Sequence, residues 1–342
     1  MEWENIASRH HRRGAIMASL LLLLLGAAII IGAFVRVGAQ GEGWKGTRHG
    51  TAGKDLNTVY FADTKRGWIA GDDGLVYRTE DSGRSWIKQP VGTNDQINDL
   101  YFRDKEDGYL VAGNRILVTN DSGRTWREAR QFSPADFGGA VPELYSVRFA
   151  SKKKGWLVGS VSRREVVTDS LVFFTQDGGA SWRAQLVPSR DELIHLDFAD
   201  EKRGWIVGDK GTILATTDGG ASWARQRANT NATLYHVDFV DDDRGWAVGA
   251  RGTILRTENG GETWTTVIVP GLQRTTLLSV QFVNDEQGWA VGRGGVVLRS
   301  DDGGRTWVQQ ESRTKQNLYA LFVNKKQGWA VGGDGMVLQY ER

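Results

Sequence analysis

One stretch constrains the fold more than any other: Leu234 to Trp264, LYHVDFVDDDRGWAVGARGTILRTENGGETW, because its pattern recurs seven times between Gly43 and Arg342. It reads as a strand, a turn, GWAVG, a second turn, TILRT, and a tight Asn-Gly-Gly turn closing on Trp264. The GW turn recurs at Gly67-Trp68, Gly108-Tyr109, Gly155-Trp156, Gly204-Trp205, Gly245-Trp246, Gly288-Trp289 and Gly328-Trp329. Six residues ahead of each glycine stands a phenylalanine: Phe61, Phe102, Phe149, Phe198, Phe239, Phe282 and Phe322. A third marker, [ST]-x-[DN]-[SG]-G-x-[ST]-W, occurs six times, at Thr79–Trp86, Thr119–Trp126, Thr175–Trp182, Thr216–Trp223, Thr257–Trp264 and Ser300–Trp307.

The missing seventh marker predicts how the chain closes. After Trp329 only a short strand remains, whereas Trp44 precedes Phe61 by close to the usual marker spacing. Residues around Gly43–Thr47 therefore supply the outer strand of the last unit. A repeat near 41 residues with four short strands per unit is the pattern of a β-propeller, and closure removes exposed sheet edges. The expected fold is all-β: a seven-bladed β-propeller over residues 43–342, closed by its N-terminal strand. Thirteen of the fourteen tryptophans fall on the two repeat positions, Tyr109 takes the one vacancy, and only Trp3 lies outside. These rings are read as packing between blades.

Ahead of the repeats, residues 15–35 form 21 uncharged positions with six consecutive leucines, Leu20–Leu25. At ~1.5 Å per residue such a run spans a ~30 Å hydrocarbon core. Arg9, Arg12 and Arg13 precede it and only Arg36 follows closely. The charge bias predicts a cytoplasmic stub (1–14), a transmembrane anchor (15–35), a linker (36–42) and a propeller in the periplasm or thylakoid lumen. Val37-Gly38-Ala39 offers the rival reading, a cleaved signal peptide. The chain has no cysteine, which removes disulfides, thiolate metal sites, a cysteine nucleophile and an N-terminal lipidated cysteine. The formal charge of +2 resides in residues 1–36, whose four arginines face Glu2 and Glu4. The remainder is neutral, which argues against general nucleic-acid binding.

The six markers are Asp-boxes. Their Asp or Asn accepts backbone N–H bonds within its own turn, and glycine supplies positive φ. Asn259 in one copy speaks against a charged metal site, so the boxes are read as scaffold. An Asp-box alternating with GWxVG in one seven-unit ring, carried by GWIVGDKGTILATTDGGASW and GWAVGARGTILRTENGGETW, resembles the photosystem II stability/assembly factor family from about Gly43 to Arg342. The resemblance implies a protein without catalysis or cofactor. It would bind an integral membrane reaction-centre subunit on the lumenal or periplasmic side, with pigment near it only through that partner. Lacking the lipid-attachment cysteine of some members, this chain would depend on residues 15–35 for anchoring.

Enzyme chemistries find little support. A sialidase needs an arginine cluster and a Tyr–Glu nucleophile pair, and Asn114-Arg115-Ile116-Leu117 reads only as the start of a strand. A glycosidase needs two carboxylates ~5–10 Å apart. Asp197 and Asp238 stand at equivalent places of neighbouring inner strands, with His195 and His236 two residues earlier; these are read as polar residues bordering a central channel. Two histidines without a third ligand make a poor metal site, and no glycine-rich phosphate loop opens a helix.

The Asp-boxes lie on one face, so the turns after GWxVG and the links between units share the other. Loops on a rigid scaffold are where binding residues gather. Two are long: the link after Trp126 and the turn after Gly159, which contains Arg163 and Arg164. On the same face Arg227, Arg251, Arg274, Arg293, Arg313, Lys315 and Arg48 follow one another, opposed on that arc only by Glu311 and Asp334; Asp72, Asp73 and Asp95 lie across the ring. This segregation predicts an arc for an acidic peptide or anionic headgroups. The function expected is a membrane-anchored binding module that assembles or stabilises a photosynthetic reaction-centre complex. The alternative is a carbohydrate-active or glycan-binding Asp-box protein of the cell envelope.

Overall fold

A computed structural model describes residues 43–49 and 52–341. The segment 15–35, expected to be a membrane anchor, its stub and the linker lie outside them. Among the described residues no helix is long and apolar enough to cross a membrane.

The described chain forms seven four-stranded antiparallel sheets. Six blades take consecutive strands from the inside outward, beginning with Leu56–Phe61, Gly67–Gly71, Val76–Thr79 and Ile87–Gln89. Their inner strands pack side by side around the ring, and the seventh, Leu318–Val323, returns onto the first. As the missing marker predicted, the last blade is completed by Gly43–Arg48, paired antiparallel with Met336–Glu341. Trp44 is buried there, 5.4 Å from the Tyr340 ring, and its Nε1 donates to Gln310 of blade 6 at 3.2 Å.

The motif residues make one repeated contact. Phe102 stacks on Trp68 of the preceding blade at 3.6 Å, Phe239 on Trp205 at 3.4 Å and Phe282 on Trp246 at 3.5 Å. The Asp-box tryptophan of the same blade meets each ring edge-on, as Trp126 meets Phe102 at 5.9 Å. The GW glycine is the seat of that ring: a Cβ on Gly67 would lie 2.4 Å from Phe61. Any side chain there would expel the phenylalanine, so Phe and Gly are required together. Tyr109 stacks like the tryptophan it replaces, 4.3 Å from Phe149. Its hydroxyl donates to Gly178 O of the next blade's Asp-box at 2.7 Å, the task performed by Trp205 Nε1 on Gly260 O.

Blade 7 departs from its sequence spacing. Phe322 pairs with Trp329, and Val323 takes the seat beside Gly328. The loop explains the slip. In blade 1 Ala62 N bonds Arg66 O, while in blade 7 the closure is one residue tighter, Asn324 N to Gln327 O. Phe322 therefore turns to the channel, 5.5 Å from the Tyr60 ring, and Trp289 meets Tyr340 at 5.7 Å instead of a phenylalanine.

The Asp-boxes are self-contained. Thr79 Oγ1 accepts Gly83 N at 2.9 Å, and Asp81 accepts Ser85 N at 2.8 Å and Ser85 Oγ at 2.6 Å. Asn259 keeps the backbone contact and offers its Nδ2 to Thr263 Oγ1 at 3.1 Å. A neutral amide thus replaces the carboxylate with no bond lost, which fits a scaffold role. The serine hydroxyls and backbone N–H groups hold Asp81, Asp177 and Asp218 down at about 2.

The slipped register has a measurable consequence. Phe282→Ala removes a ring wedged between two tryptophans and is expected to cost roughly 3–5 kcal/mol. Phe322→Ala removes a half-buried channel residue and is expected to cost roughly 1–2 kcal/mol. Urea denaturation of both variants distinguishes them, and equal losses would mean that Phe322 is a seventh wedge after all.

Candidate functional site

Backbone bonds sort the loops into two faces. Asp-boxes lean on the loops between first and second strands, as in Ser82 N to Lys65 O at 3.0 Å and Gly303 N to Glu286 O at 2.8 Å. The turns after GWxVG lean on the links instead, as in Gly74 N to Asp95 O at 3.1 Å and Gly252 N to Thr275 O at 2.6 Å. The link face thus stands opposite the Asp-box face. Most of these turns place a residue in the left-handed region just ahead of a glycine that shares it, and in blade 5 that residue is Arg251, with φ 57°.

The structure carries the predicted arc across blades 5 to 7 in order. Arg227 is exposed on the link into blade 5, and Arg251 donates to Asn231 of that same link at 2.8 Å. Arg274 lies on the link into blade 6, Arg293 on the blade 6 turn, and Arg313 and Lys315 on the link into blade 7. Two members are compromised. Arg48 pairs with Asp334 at 2.8 Å, and Arg313 faces Glu311 at 3.8 Å. Among the described residues Arg227, Arg251, Arg274, Arg293 and Lys315 have no ion-pair partner. The opposite side is acidic but internally matched: Lys54 meets Asp73 at 2.5 Å and Arg115 meets Asp95 at 2.8 Å.

Arg163 and Arg164 stand apart from that arc. The expected long turn after Gly159 is a continuation of two strands, Gly155–Arg163 and Val166–Thr175, closed by Arg164 and Glu165 at positive φ. Alternation of apolar and polar residues continues through it, so the backbone extends the sheet rather than looping out. Arg163 Nη2 donates to Gly138 O at 2.6 Å, tying the tip to the other long segment, which holds a short 3-10 turn at Pro134–Phe137.

The inner strands enclose a channel cavity of about 680 Å³. In most blades the residue before the wedge clasps the next blade's strand. Tyr60 OH donates to Phe102 O at 2.8 Å and Tyr101 OH to Phe149 O at 3.1 Å. Asp197 accepts Phe239 N, Asp238 accepts Phe282 N, both at 2.8 Å, and Gln281 accepts Val323 N at 2.7 Å. The two carboxylates noted as glycosidase candidates are therefore clasps between blades. Arg148, in the same register, points elsewhere: its Nη1 lies 2.5 Å from Asp99 Oδ2 and its Nη2 2.9 Å from His195 Nε2. His195 stacks on His236 at 3.7 Å. Sequence reasoning missed the Asp99–Arg148 pair, although listing the residue before each phenylalanine would have exposed the ring that contains Arg148. No three His, Asp or Glu side chains converge as a metal site among the described residues.

Comparison with known proteins identifies the family. The model of "Photosynthesis system II assembly factor YCF48" matches overlapping stretches 84–184, 139–229, 174–269, 222–309 and 263–341, which together run through most of the propeller. The chain belongs to this family. A curated relative, the photosystem II assembly lipoprotein Ycf48 of Synechococcus sp., is 26% identical over 155 residues, 43% of this chain and 41% of that protein. Vacuolar protein sorting/targeting protein 10 of Neurospora crassa is 26% identical over 110 residues, 31% of this chain but only 7% of its own. The chain thus matches less than half the length of either relative. Among solved structures, YCF48 bound to D1 peptide superposes with a TM-score of 0.70 at 20% identity, covering 89% of this chain and 96% of that one. YCF48 from Cyanidioschyzon merolae gives 0.70 at 21%, covering 87% and 98%. A GH74 xyloglucanase from Xanthomonas campestris gives 0.64 at 15%, covering 86% and 53%, a likeness of fold alone.

Within this YCF48-family propeller the channel groups are electrostatically opposed. Arg148 can only donate, so His195 Nε2 is an acceptor and its ring is neutral. Burial, then His236 and Arg148, hold His195 well below the usual imidazole value, and burial with Arg148 brings His236 to about 3. Burial raises Asp197, and burial with the charge of Asp197 raises Asp238 well above the carboxylate range. A depressed histidine leaves the folded state with fewer protons than the unfolded one. The stability this gives is present above the unfolded value of ~6.5 and is lost as pH falls toward 3. The raised carboxylates act with the opposite sign, losing stability as pH rises through their window. Relative to wild type, His195→Gln/His236→Gln is therefore expected to gain stability as pH falls from 6.5 to 4, by up to about 1.4 kcal/mol per pH unit for each ring. Urea denaturation across that range measures it, and a pH-independent difference would mean that the rings are charged in the fold.

Proposed function

We propose that this protein is a non-catalytic, membrane-anchored binding module that assembles or stabilises a photosynthetic reaction-centre complex. It holds a segment of one of that complex's integral membrane subunits against the link face. The observation that carries this reading is the family match across residues 84–341. A solved propeller of the same fold bound to D1 peptide supports a reaction-centre polypeptide as the class of partner. In this reading Arg227, Arg251, Arg274, Arg293 and Lys315 form the contact surface, with Arg313, Arg48 and the Arg163–Arg164 tip at its margins. Unpaired cations on a rigid rim attract an acidic segment at long range without first breaking ion pairs.

Residues 15–35 serve as the anchor, and the propeller lies on the periplasmic or lumenal side. The uncharged run and the arginines before it support that orientation. Pigment comes near only through the partner. The glycan reading draws on a fold shared with a xyloglucanase at 15% identity, which carries no activity with it.

Replacing Arg251, Arg274 and Arg293 together with glutamate is expected to leave the melting temperature unchanged and weaken capture of a D1-derived peptide roughly tenfold or more, about 1.4 kcal/mol. Wild-type binding is expected to fall with added salt. Undiminished capture by the triple variant would remove the arc from the contact surface. Cell fractionation tests the anchor: full-length protein is expected with the membranes, and a shortened soluble product would replace the anchor with a cleaved signal.

A further inference from the structure

The central channel contains more negative charge than the fold requires. Arg148 is its cation, and Asp99 already meets that cation at 2.5 Å while also accepting Ser146 Oγ at 2.9 Å and Val147 N at 3.1 Å. Asp197 and Asp238 line the same cavity with no ion-pair partner among the described residues, and the neighbouring histidine rings are neutral. Asp238 has one backbone donor, Phe282 N on its Oδ2, and no donor for Oδ1 among the described residues.

A second, independent feature lies beside that carboxylate. Ser279 lines the cavity and is 1% exposed, and among the described residues its Oγ has no hydrogen-bond partner; His236 Nδ1, one blade earlier in the same register, has none among them either. Buried polar atoms in native folds are nearly always satisfied, and these two stand on one wall of the cavity within the reach of a guest's N–H groups. Both can act as acceptors, as can Asp238 Oδ1. Across the channel the register slip of blade 7 completes an aromatic wall. Phe322 and Tyr101 each flank Tyr60 with ring centroids 5.5 Å apart.

We propose that the channel is a binding site for an organic cation, a primary ammonium or a guanidinium, seated between Asp238 and the wall of Tyr60, Tyr101 and Phe322. The guest's N–H groups would meet Asp238 Oδ1, Ser279 Oγ and His236 Nδ1, while its charge faces the aromatic rings. A cavity of about 680 Å³ lies within the usual range for small-molecule sites. Carboxylates and imidazoles that do not converge on a point suit an extended cation better than a metal ion. Burial in the channel wall disfavours the ionised forms of Asp197 and Asp238 and pushes their titration upward; a cation beside them offsets that penalty. Nothing in this site depends on the arginine arc.

Isothermal titration calorimetry of the purified full chain with agmatine, with the tripeptide Gly-Arg-Gly and with the uncharged analogue N-butylacetamide tests the proposal. Saturable binding of agmatine or the tripeptide is expected, with none of the uncharged analogue. The Asp238→Asn variant should weaken it tenfold or more and Ser279→Ala several-fold, neither with a lowered melting temperature. Arg251→Glu/Arg274→Glu/Arg293→Glu should leave it unchanged, so that this site and the link-face reading fail separately. Binding of agmatine identifies a free small cation as the source, and binding of the tripeptide alone identifies a partner's side chain; either supports the proposal. It is overturned if neither cation binds at millimolar concentration, if the uncharged analogue binds equally, or if Asp238→Asn binds like wild type. Should Asp238→Asn fail to fold, retained affinity in Ser279→Ala overturns it.

Discussion

The wedge of one phenylalanine between two tryptophans is the contact on which the ring depends. Phe282 lies flat on Trp246 of the preceding blade at 3.5 Å and receives the edge of Trp307, in its own blade, at 5.6 Å. Neither blade can shift against the other without uncovering aromatic surface, and each buried aromatic ring removes ~150–250 Å² from water. The glycine beneath the ring has no substitute, because a Cβ on Gly288 would lie 2.5 Å from Phe282. The GW motif is therefore half of a contact whose other half lies six residues upstream. Blade 7 lacks the wedge, and its seam is held by Val323, Tyr340 and Trp44 instead.

Because packing between blades uses the tryptophans and the Asp-box turns, the link face is released from structural duty. Its turns present charged side chains at positive φ, Asp73, Lys210, Arg251 and Asp334, and the scaffold does not dictate which charge stands there. Blades 1 and 4 carry partners for theirs, Lys54 for Asp73 and Asp191 for Lys210. Among the described residues neither Arg251 on the blade 5 turn nor Arg293 on the blade 6 turn has an ion-pair partner, and this asymmetry gives an otherwise neutral ring a basic side that a partner can read. The same separation explains why family members share a ring at low sequence identity.

The channel follows different rules. Its clasps alternate between hydroxyl donors in blades 1 and 2 and carboxylate acceptors in blades 4 and 5, each satisfying one backbone group of the next inner strand. Asp238 does this with one oxygen, and its other oxygen has no donor among the described residues. A glutamine performs the same clasp in blade 6 without charge, so the acidity of the channel exceeds what holding the blades together demands.

The sequence by itself determined the architecture: seven units, the closing strand at Trp44, the scaffold role of the Asp-boxes and the face on which the arginines lie. Those follow from motif spacing, because a turn that needs glycine and a ring that needs a glycine seat leave fixed local signatures. The tertiary structure alone decided what depends on neighbours far apart in the chain. The slip that turned Phe322 into the channel arises from a loop one residue tighter, invisible in an unchanged spacing. The loss of Arg48 to Asp334 joins positions 286 residues apart in number but adjacent around the closed ring. The pairing of Asp99 with Arg148 and the stacking of His195 on His236 likewise join blades. Periodicity assigns each residue to a strand and a layer, but which charges meet is set by where the ring brings the strands together.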